Sequence, residues 1–402
     1  MKPKFLNGNL IVLAMLAATL AFIAAFPTLQ KAQAIANPAN TNQPLATRHR
    51  VEVVFVLDTT GSMGGLIHAA REKIWSIATS MASASQNPEI RMGLVAYRDR
   101  GDDYVTRVID LSSDLDSMYT KLMDFRAGGG GDAPESVNQA LHDAIHDISW
   151  SEDDATYRVL FLIGDAPPHM DYPDDVKYPQ TLALAQQKGI VVNAIQSGVN
   201  QRTRPAWEHI AALGQGAYFQ VENTGNAVAI ATPYDEKLSR LAAQLEDTRL
   251  FYGDEKTRLA QQKKLEANAR LRRELSSEAL ARRDTFNSTA SGRANLLTEQ
   301  ELVTGVTSGD VDLESIATED LPANLRSMTR EEQQKVIEDT ADKREALQSE
   351  IKALAESRQQ YIKEKLDAEG GAADSLDEQI YRAVREQGAA VGLSYDSDGT
   401  RY

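Results

Sequence analysis

The 402-residue sequence contains no cysteine. This absence excludes disulfide bonds, a thiolate metal site, a cysteine nucleophile and a lipid-modified cysteine after an export signal. The folded chain must therefore be stabilised by packing, to which a bound ion can add.

The sequence is also poor in positive charge, with 43 lysines and arginines against 58 aspartates and glutamates. The formal net charge of −15 argues against non-specific nucleic-acid binding, which needs a basic face to neutralise phosphates. It argues equally against adhesion to an anionic membrane surface. We therefore expect no nucleic-acid partner, and no membrane contact beyond an N-terminal anchor.

The N-terminal segment has the features of an export signal. An apolar run, Leu10–Phe26, precedes Ala32-Gln33-Ala34, which fits the small-x-small cleavage pattern. Residues 1–34 are therefore predicted to be a signal peptide. An uncleaved anchor in the inner membrane is the alternative, although 17 residues are at the short end for a bilayer span. In both cases the rest of the chain is predicted to be exported, to the periplasm or the extracellular space.

Residues 35–50 are polar, contain two prolines and are predicted to be a linker. From residue 51 to residue 247, short apolar runs alternate with longer amphipathic segments, which predicts an α/β fold with a doubly wound, mostly parallel sheet. The predicted strands are Val51–Leu57, Arg91–Ala96, Val105–Leu111, Arg158–Ile163, Ile190–Gln196 and Ala217–Val221. The predicted helices are Leu66–Ala84, Leu115–Phe125, Ser136–Ile148, Asp175–Lys188, Arg204–Leu213 and Ala227–Gln244.

An α-helical extension is predicted after this domain, because the composition becomes charged and alanine-rich. Residues 248–290 are expected to be helical, and residues 291–329 are expected to form a loosely structured connector. Residues 330–369 are expected to be helical again, and residues 370–402 to form a tail with one short helix.

The helix predicted over residues 330–369 carries apolar residues spaced as in a coiled-coil seam, which indicates a coiled-coil hairpin, a partner helix or self-association of copies of the chain. This seam consists of Leu347, Ile351, Leu354 and Tyr361. A single solvated helix with acid–base pairs is the alternative, because Arg344 and Arg358 interrupt the seam.

Three loops with oxygen-bearing side chains follow predicted strands or precede a predicted helix. The first is Asp58-Thr59-Thr60-Gly61-Ser62, the second runs from Gly128 to Glu135 and includes Asp132, and the third begins Gly164-Asp165. In parallel α/β sheets, ligand sites lie beyond the carboxyl ends of central strands. Carboxylates and hydroxyls around one point suit a hard divalent ion such as Mg²⁺.

These motifs resemble the von Willebrand factor type A domain, whose metal-ion-dependent adhesion site begins with Asp-x-Ser/Thr-x-Ser after the first strand. The resemblance covers residues 51–247, and "MGLVAYRDRGDD" and "GGGGDAPES" are similar to type A domains found beside atypical alpha-kinases. It implies adhesive binding through Mg²⁺, with Mn²⁺ or Ca²⁺ as alternative ions. The implied ligands are Asp58, Thr60, Ser62, Asp132 and Asp165. A kinase is not implied, because the tail lacks a glycine-rich phosphate loop and its partner lysine.

Asp132 departs from the adhesive pattern, in which threonine is usual at this position. Three carboxylates around a doubly charged ion leave the site negative, and such a site attracts a partner's acid less well. A purely structural ion site is therefore an alternative to the adhesive site. For the adhesive site, we expect an acidic partner side chain at the metal and a rim that includes Gly61 and Gly131. His169 is expected either at this rim or packed in the Pro-Pro turn.

A phosphotransfer enzyme of the dehalogenase type is the alternative from a different class. "LDTTGS" resembles the Asp-Lys-Thr-Gly-Thr motif of ion-pumping ATPases, which would make Asp58 a nucleophile. Soluble phosphatases of that type usually have a second aspartate where Thr60 stands, and they give the four-glycine loop with Asp132 no role. We therefore predict that the protein is not an enzyme.

Two further motifs have simpler explanations. His142 and His146 lie one turn apart and could bind zinc, but no third ligand is evident, so a solvated helix face is favoured. Arg100-Gly101-Asp102 is an integrin-type tripeptide in a loop, where turn formation is the simpler explanation.

Overall fold

A six-stranded sheet is the centre of the computed structural model, which describes residues 49–131, 134–222, 230–296, 300–368 and 376–395. The strands are β1 (Arg50–Asp58), β2 (Glu89–Tyr97), β3 (Thr106–Ser112), β4 (Thr156–Gly164), β5 (Ile190–Ser197) and β6 (Gln215–Val221). Their order is β3-β2-β1-β4-β5-β6, and all neighbours are parallel except β2 and β3. The predicted α/β fold with a mostly parallel sheet is confirmed.

Helices cover both faces of this sheet. Those within or directly after the sheet region are α1 (Gly64–Ala82), α2 (Leu115–Asp124), α3 (Val137–His146), α4 (Tyr178–Gln187), α5 (Arg204–Leu213) and α6 (Asp235–Glu246). Because successive strand residues point to opposite faces, Val53 and Phe55 pack under α1 and α2, whereas Val54 and Val56 pack under α3, α4 and α5. Burial on both faces explains the unbroken apolar sequence of β1.

The C-terminal extension packs on the α/β domain. Its helices are α7 (Glu255–Glu274), α8 (Ser277–Ser288), α9 (Ala290–Leu296), α10 (Leu302–Ser308), α11 (Arg330–Ala368) and α12 (Leu376–Gly388). Phe286 of α8 and Ile380 and Val384 of α12 are buried in the cluster formed by one face of the sheet. Gln387 of α12 also exchanges hydrogen bonds with Asn193 of β5 at 2.8 and 3.2 Å. The extension therefore completes the core of the domain.

The prediction of a loosely structured connector over residues 291–329 is wrong. It contains most of α9, all of α10 and two single 3₁₀ turns, Leu313–Ser315 and Thr318–Asp320. Its apolar residues form a separate buried cluster with Ile337 of α11, and this cluster includes Leu302, Val303, Leu313, Ile316, Leu321 and Leu325. Burial of these side chains holds the segment in place without long regular elements.

α11 is not a solvated helix, and its apolar seam has a partner helix within the same chain. Leu347 and Ile351 pack against Leu241 and Leu245 of α6, so this part of the seam is covered within the chain. The two arginines that interrupt the seam are buried as well. Arg344 pairs with Glu301 at 2.8 and 3.0 Å, and Arg358 pairs with Asp235 at 2.9 Å. A buried guanidinium needs such a partner, and sequence spacing gives no sign of it.

The segment predicted to be helical, residues 248–290, contains two helices, α7 and α8. The division falls at Leu275 and Ser276, where Ser276 Oγ accepts a hydrogen bond from the Ala279 amide and caps α8.

No helix in the described residues combines the length and hydropathy needed to cross a membrane. The predicted signal peptide, residues 1–34, lies outside the described residues.

Candidate metal centre

The first predicted loop begins where β1 ends, at the carboxyl edge of the sheet. Asp58 is only 1% exposed, and its Oδ1 accepts hydrogen bonds from the Thr60 amide at 2.8 Å and the Thr60 hydroxyl at 2.7 Å. The hydroxyls of Thr60 and Ser62 lie 3.4 Å apart, and Ser62 faces solvent. Asp58 Oδ2 is buried without a hydrogen-bond partner among the described residues. The structure therefore brings the three predicted residues of this loop together and leaves one carboxylate oxygen free.

The second loop is attached to the first by backbone hydrogen bonds. The Gly61 amide donates to the Gly129 carbonyl at 3.2 Å, and the Gly128 amide donates to the Thr59 carbonyl at 3.1 Å. Gly129 has a φ of 76°, and a Cβ there would lie 2.3 Å from the Asp102 carboxylate, so only glycine fits. Two predicted rim residues, Gly61 and Gly131, are exposed at this edge, whereas Asp132 lies outside the described residues.

Glu135 is a site residue that the sequence analysis missed. It is 3% exposed, and its backbone bonds to the third loop through the Pro167 carbonyl and the His169 amide, both at 3.0 Å. A Cβ atom on Gly130 would lie 3.3 Å from Glu135 Oε1 and 3.0 Å from the Thr60 Cβ, so Glu135 and Thr60 are neighbours. Glu135 Oε2 is buried and has no hydrogen-bond partner among the described residues. Only its position directly before α3, after the glycine turn, could have indicated this role.

The third loop places Asp165 directly after β4. Asp165 is partly exposed, and its carbonyl accepts a hydrogen bond from the Thr203 hydroxyl at 2.8 Å. The Ala166 carbonyl accepts one from the Trp207 indole at 3.0 Å, so α5 holds this loop. Burial raises the pKa of Asp58 to about 7, and the nearby charge of Asp165 adds to the rise. Asp165 and Asp58 therefore lie close enough to repel each other.

The unpartnered oxygens converge beneath these loops. A Cβ on Gly164 would lie 2.4 Å from the Tyr97 hydroxyl and 3.0 Å from Asp58 Oδ2, so both atoms face the same small space. The Tyr97 hydroxyl is also buried without a partner in the described residues. Burial and the charges of Asp58 and then Asp99 raise the pKa of Glu135 to about 9. Buried oxygens that lack donors and repel one another are what a hard cation would stabilise.

The donor set fits an ion that takes hydroxyls and water as well as carboxylates. In the described ranges, no group of three or more histidines, cysteines, aspartates or glutamates is arranged to hold a metal. A site at this edge would therefore use Asp58 with the hydroxyls of Thr60 and Ser62, and water for the remaining positions. Mg²⁺ commonly keeps several waters and takes one or two carboxylates.

Of the two positions expected for His169, the structure shows the packed one and not the rim, since His169 is buried at 4% exposure. Its Nδ1 lies 2.8 Å from Asp171, its Nε2 lies 3.3 Å from Asp99, and its ring stacks on Tyr172 at 4.0 Å. Arg100 lies over the Tyr172 ring at 4.1 Å from its centre. These contacts connect the loop after β2 to the third loop, so His169 has a structural role.

The histidine pair lies on α3, and the Arg100-Gly101-Asp102 tripeptide lies in the loop after β2. The rings of His142 and His146 stack 4.0 Å apart, and no third metal-binding side chain joins them in the described residues. Within the tripeptide, Arg100 pairs with Asp174 at 2.9 Å, and Asp102 accepts a hydrogen bond from the Gly130 amide at 3.0 Å. The tripeptide therefore builds the site edge.

The sheet is open and mostly parallel, and loops with oxygen-bearing side chains lie at its carboxyl edge. This arrangement is that of a doubly wound α/β domain. Residues 52–232 match the family model described as von Willebrand factor A domain. The chain contains a von Willebrand factor A domain, as the sequence motifs predicted. Domains of this family often bind a metal ion and mediate protein interaction.

Two relatives and one solved structure illustrate the match. The von Willebrand factor A domain-containing protein 7 of Rattus norvegicus is 36% identical over 115 residues, which are 28% of this chain and 12% of that protein. The alpha-protein kinase vwkA of Dictyostelium discoideum is 29% identical over 121 residues, which are 30% of this chain and 19% of that protein. The chain thus spans less than a fifth of either relative. The solved structure is that of proximal thread matrix protein 1 from the mussel byssus, with a zinc-occupied MIDAS motif. It is 15% identical to this chain, and the match covers 43% of this chain and 42% of that one, with a TM-score of 0.35.

Without metal, the protein is expected to lose stability as the pH rises through about 7 and then about 9, the pKa values of Asp58 and Glu135. Both are raised from ordinary values of 3.8 and 4.5, so their protons stabilise the fold fully only below those ordinary values. A divalent ion would replace this lost stabilisation. The melting temperature in Mg²⁺ minus that in EDTA should therefore widen with pH, as measured by scanning fluorimetry. A melting-temperature difference that is constant with pH would contradict this prediction. In Asp58→Asn, the difference should depend less on pH than in the wild type.

Proposed function

We propose that the protein is an exported, non-enzymatic binding module that holds a divalent ion at the carboxyl edge of its sheet and binds a protein partner there. The observation that carries the proposal is the unpartnered, buried Oδ2 of Asp58, which faces the same space as the Tyr97 hydroxyl. Mg²⁺ is the proposed ion, with Mn²⁺ or Ca²⁺ as substitutes, because the surrounding donors are all oxygens.

The proposed ligands are Asp58, Thr60, Ser62, Asp132 and Asp165. Asp58 would bind directly through Oδ2, since Oδ1 is already held by Thr60. The exposed position of Ser62 supports an ion that a partner can reach from solvent. An acidic side chain from that partner would complete the coordination, because a hard ion prefers charged oxygen. Location in the periplasm or the extracellular space is proposed from the N-terminal sequence.

A phosphotransfer role for Asp58 is the competing function, and its surroundings argue against it. In the described part of the chain, Asp58 forms no ion pair with a lysine or arginine, which would steady a transferred phosphoryl group. Arg98, a buried arginine in these loops, donates instead to the Thr59 and Arg126 carbonyls at 3.2 and 2.8 Å. We therefore keep binding as the function.

The purified chain is expected to hydrolyse no aryl phosphate in Mg²⁺ and to trap no beryllium fluoride at Asp58. The expected physical reason is that Asp58 serves as a metal ligand and has no cation positioned to neutralise a phosphoryl group. Turnover by the wild-type chain that disappears in Asp58→Asn would overturn the binding proposal. Ion binding without any partner that depends on the ion would favour the structural-ion alternative.

A further inference from the structure

Three exposed apolar side chains lie on loops at the sheet edge that carries the proposed metal centre. Among the described residues, five large hydrophobic side chains are strongly exposed: Met170, Val176, Val199, Leu259 and Leu265. The first three lie on loops that leave the carboxyl ends of β4 and β5, at the same edge as Asp58 and Asp165. Val199 is 75% exposed and Met170 is 51% exposed. Such side chains grouped near a binding site indicate a surface that a partner covers.

Hydrogen bonds hold these loops in place, so the backbone that carries the apolar side chains has a defined position. The Asn138 side chain bonds to the His169 carbonyl and the Tyr178 amide, one on each side of the segment that carries Met170 and Val176. The Thr203 hydroxyl bonds to the Asp165 carbonyl and so joins the Val199 loop to the metal loop. A surface that is already ordered loses little conformational freedom when it binds.

The rim of the same edge carries an excess of acid. Residues 98–105, 126–131, 164–177 and 198–203 carry seven aspartates against five lysines and arginines, not counting the buried Asp58 and Glu135. Asp171 and Asp103 expose 72% and 84% of their side chains. One acidic group of a partner can bind at the ion, but the rest of that partner should carry positive charge.

We propose that this edge, comprising the metal loops with Met170, Val176 and Val199, binds a segment of another protein that combines three features. The segment has one aspartate or glutamate for the ion, apolar side chains beside it for Met170 and Val199, and lysines or arginines for the acidic rim. This inference rests on the proposed function, since the ion must be present to hold the acid. A second copy of the chain is disfavoured as the occupant, because two acidic edges would repel each other.

The test is selection of random peptides from a display library on the full-length chain in Mg²⁺. We expect selected peptides to share an acidic residue, neighbouring apolar residues and a net positive remainder, and to be released by EDTA. Met170→Ser and Val199→Ser should each weaken binding of a selected peptide by about tenfold, because an apolar contact of this size is lost. Leu259→Ser on α7 is the matched control and should change nothing, and Mg²⁺ affinity should be the same in all three variants.

The outcomes separate this inference from the proposed function. Peptides that depend on Mg²⁺ but lack apolar or basic residues, or that bind Met170→Ser and Val199→Ser normally, overturn the inference and leave the metal-dependent module intact. Peptides that bind equally in EDTA and to Asp58→Asn overturn the proposed function itself. Failure to select any peptide, or self-association of the chain in Mg²⁺ that blocks this edge, also overturns the inference.

Discussion

Asp58→Asn is expected to abolish Mg²⁺ and Mn²⁺ binding, with a loss in affinity of more than about 100-fold. Residues that merely support metal ligands already change affinity by about 10- to 100-fold, and Asp58 is proposed as a direct ligand. Asparagine keeps the shape of the side chain and an oxygen for the Thr60 amide, so the loop should keep its form. The variant removes the charge at Oδ2, which is buried and has no hydrogen-bond partner in the part of the chain that the structure describes. Titration calorimetry on the full chain measures the change.

The same substitution should have a second effect that a general loss of structure cannot produce. Above about pH 7 the Asp58 carboxylate is charged and buried, so metal-free wild type bears a penalty that asparagine lacks. Metal-free Asp58→Asn should therefore be more stable than metal-free wild type at alkaline pH. Asp165→Asn is the comparison variant. It should lower the ion affinity less than Asp58→Asn does, which would fit an Asp165 that contacts the ion through water. Equal ion affinity in wild type and Asp58→Asn would remove Asp58 from the site.

Val384→Asp on α12 is expected to unfold the α/β domain or bring it close to unfolding. Val384 is 1% exposed in the cluster beneath the sheet, and neighbouring Ile380 is equally buried. An unpaired carboxylate there costs on the order of 4 kcal/mol or more, against a typical total stability of about 5–15 kcal/mol. Urea unfolding followed by circular dichroism measures the loss. A chain ending at Ala368 lacks α12 and should lose stability to a similar extent.

The matched control for this prediction is Arg385→Gln, because Arg385 is exposed on the same helix. It should change the free energy of unfolding by no more than about 0.5 kcal/mol. If Val384→Asp is as stable as Arg385→Gln, α12 does not contribute to the core. A stable, cooperatively folding chain ending at Ala368 would lead to the same conclusion.

The regular part of the fold was predictable because its signal is local. β1 and β4 are continuous apolar runs, and the six predicted strands overlap the six observed ones. Strand–helix alternation then determines which strand ends lie at the carboxyl edge, so the neighbouring positions of Asp58 and Asp165 followed from order alone. The hydrogen bonds between Asp58 and Thr60 also come from residues two apart, which is why the first loop was identifiable.

The remaining features depend on contacts between distant residues, which a single sequence does not reveal. Glu135 looks like a helix-start acid until the third loop covers it and burial raises its pKa. Arg283 looks like a solvated residue of a charged helix, yet it is buried and pairs with Asp116 at 2.6 and 2.7 Å and with Glu246 at 2.7 Å. The irregular spacing of apolar residues between 291 and 329 has no period, so their cluster with Ile337 could not be anticipated.

The most direct test of the account is an anomalous difference map from crystals of the full chain soaked in Mn²⁺. The account predicts a single strong peak at the carboxyl edge of the sheet, within coordination distance of Asp58 Oδ2 and bordered by the Thr60 and Ser62 hydroxyls. The same map will show whether Asp132 and Glu135 reach the ion. A peak elsewhere with none beside Asp58, or no peak at a Mn²⁺ concentration that saturates binding in solution, would contradict the central claim.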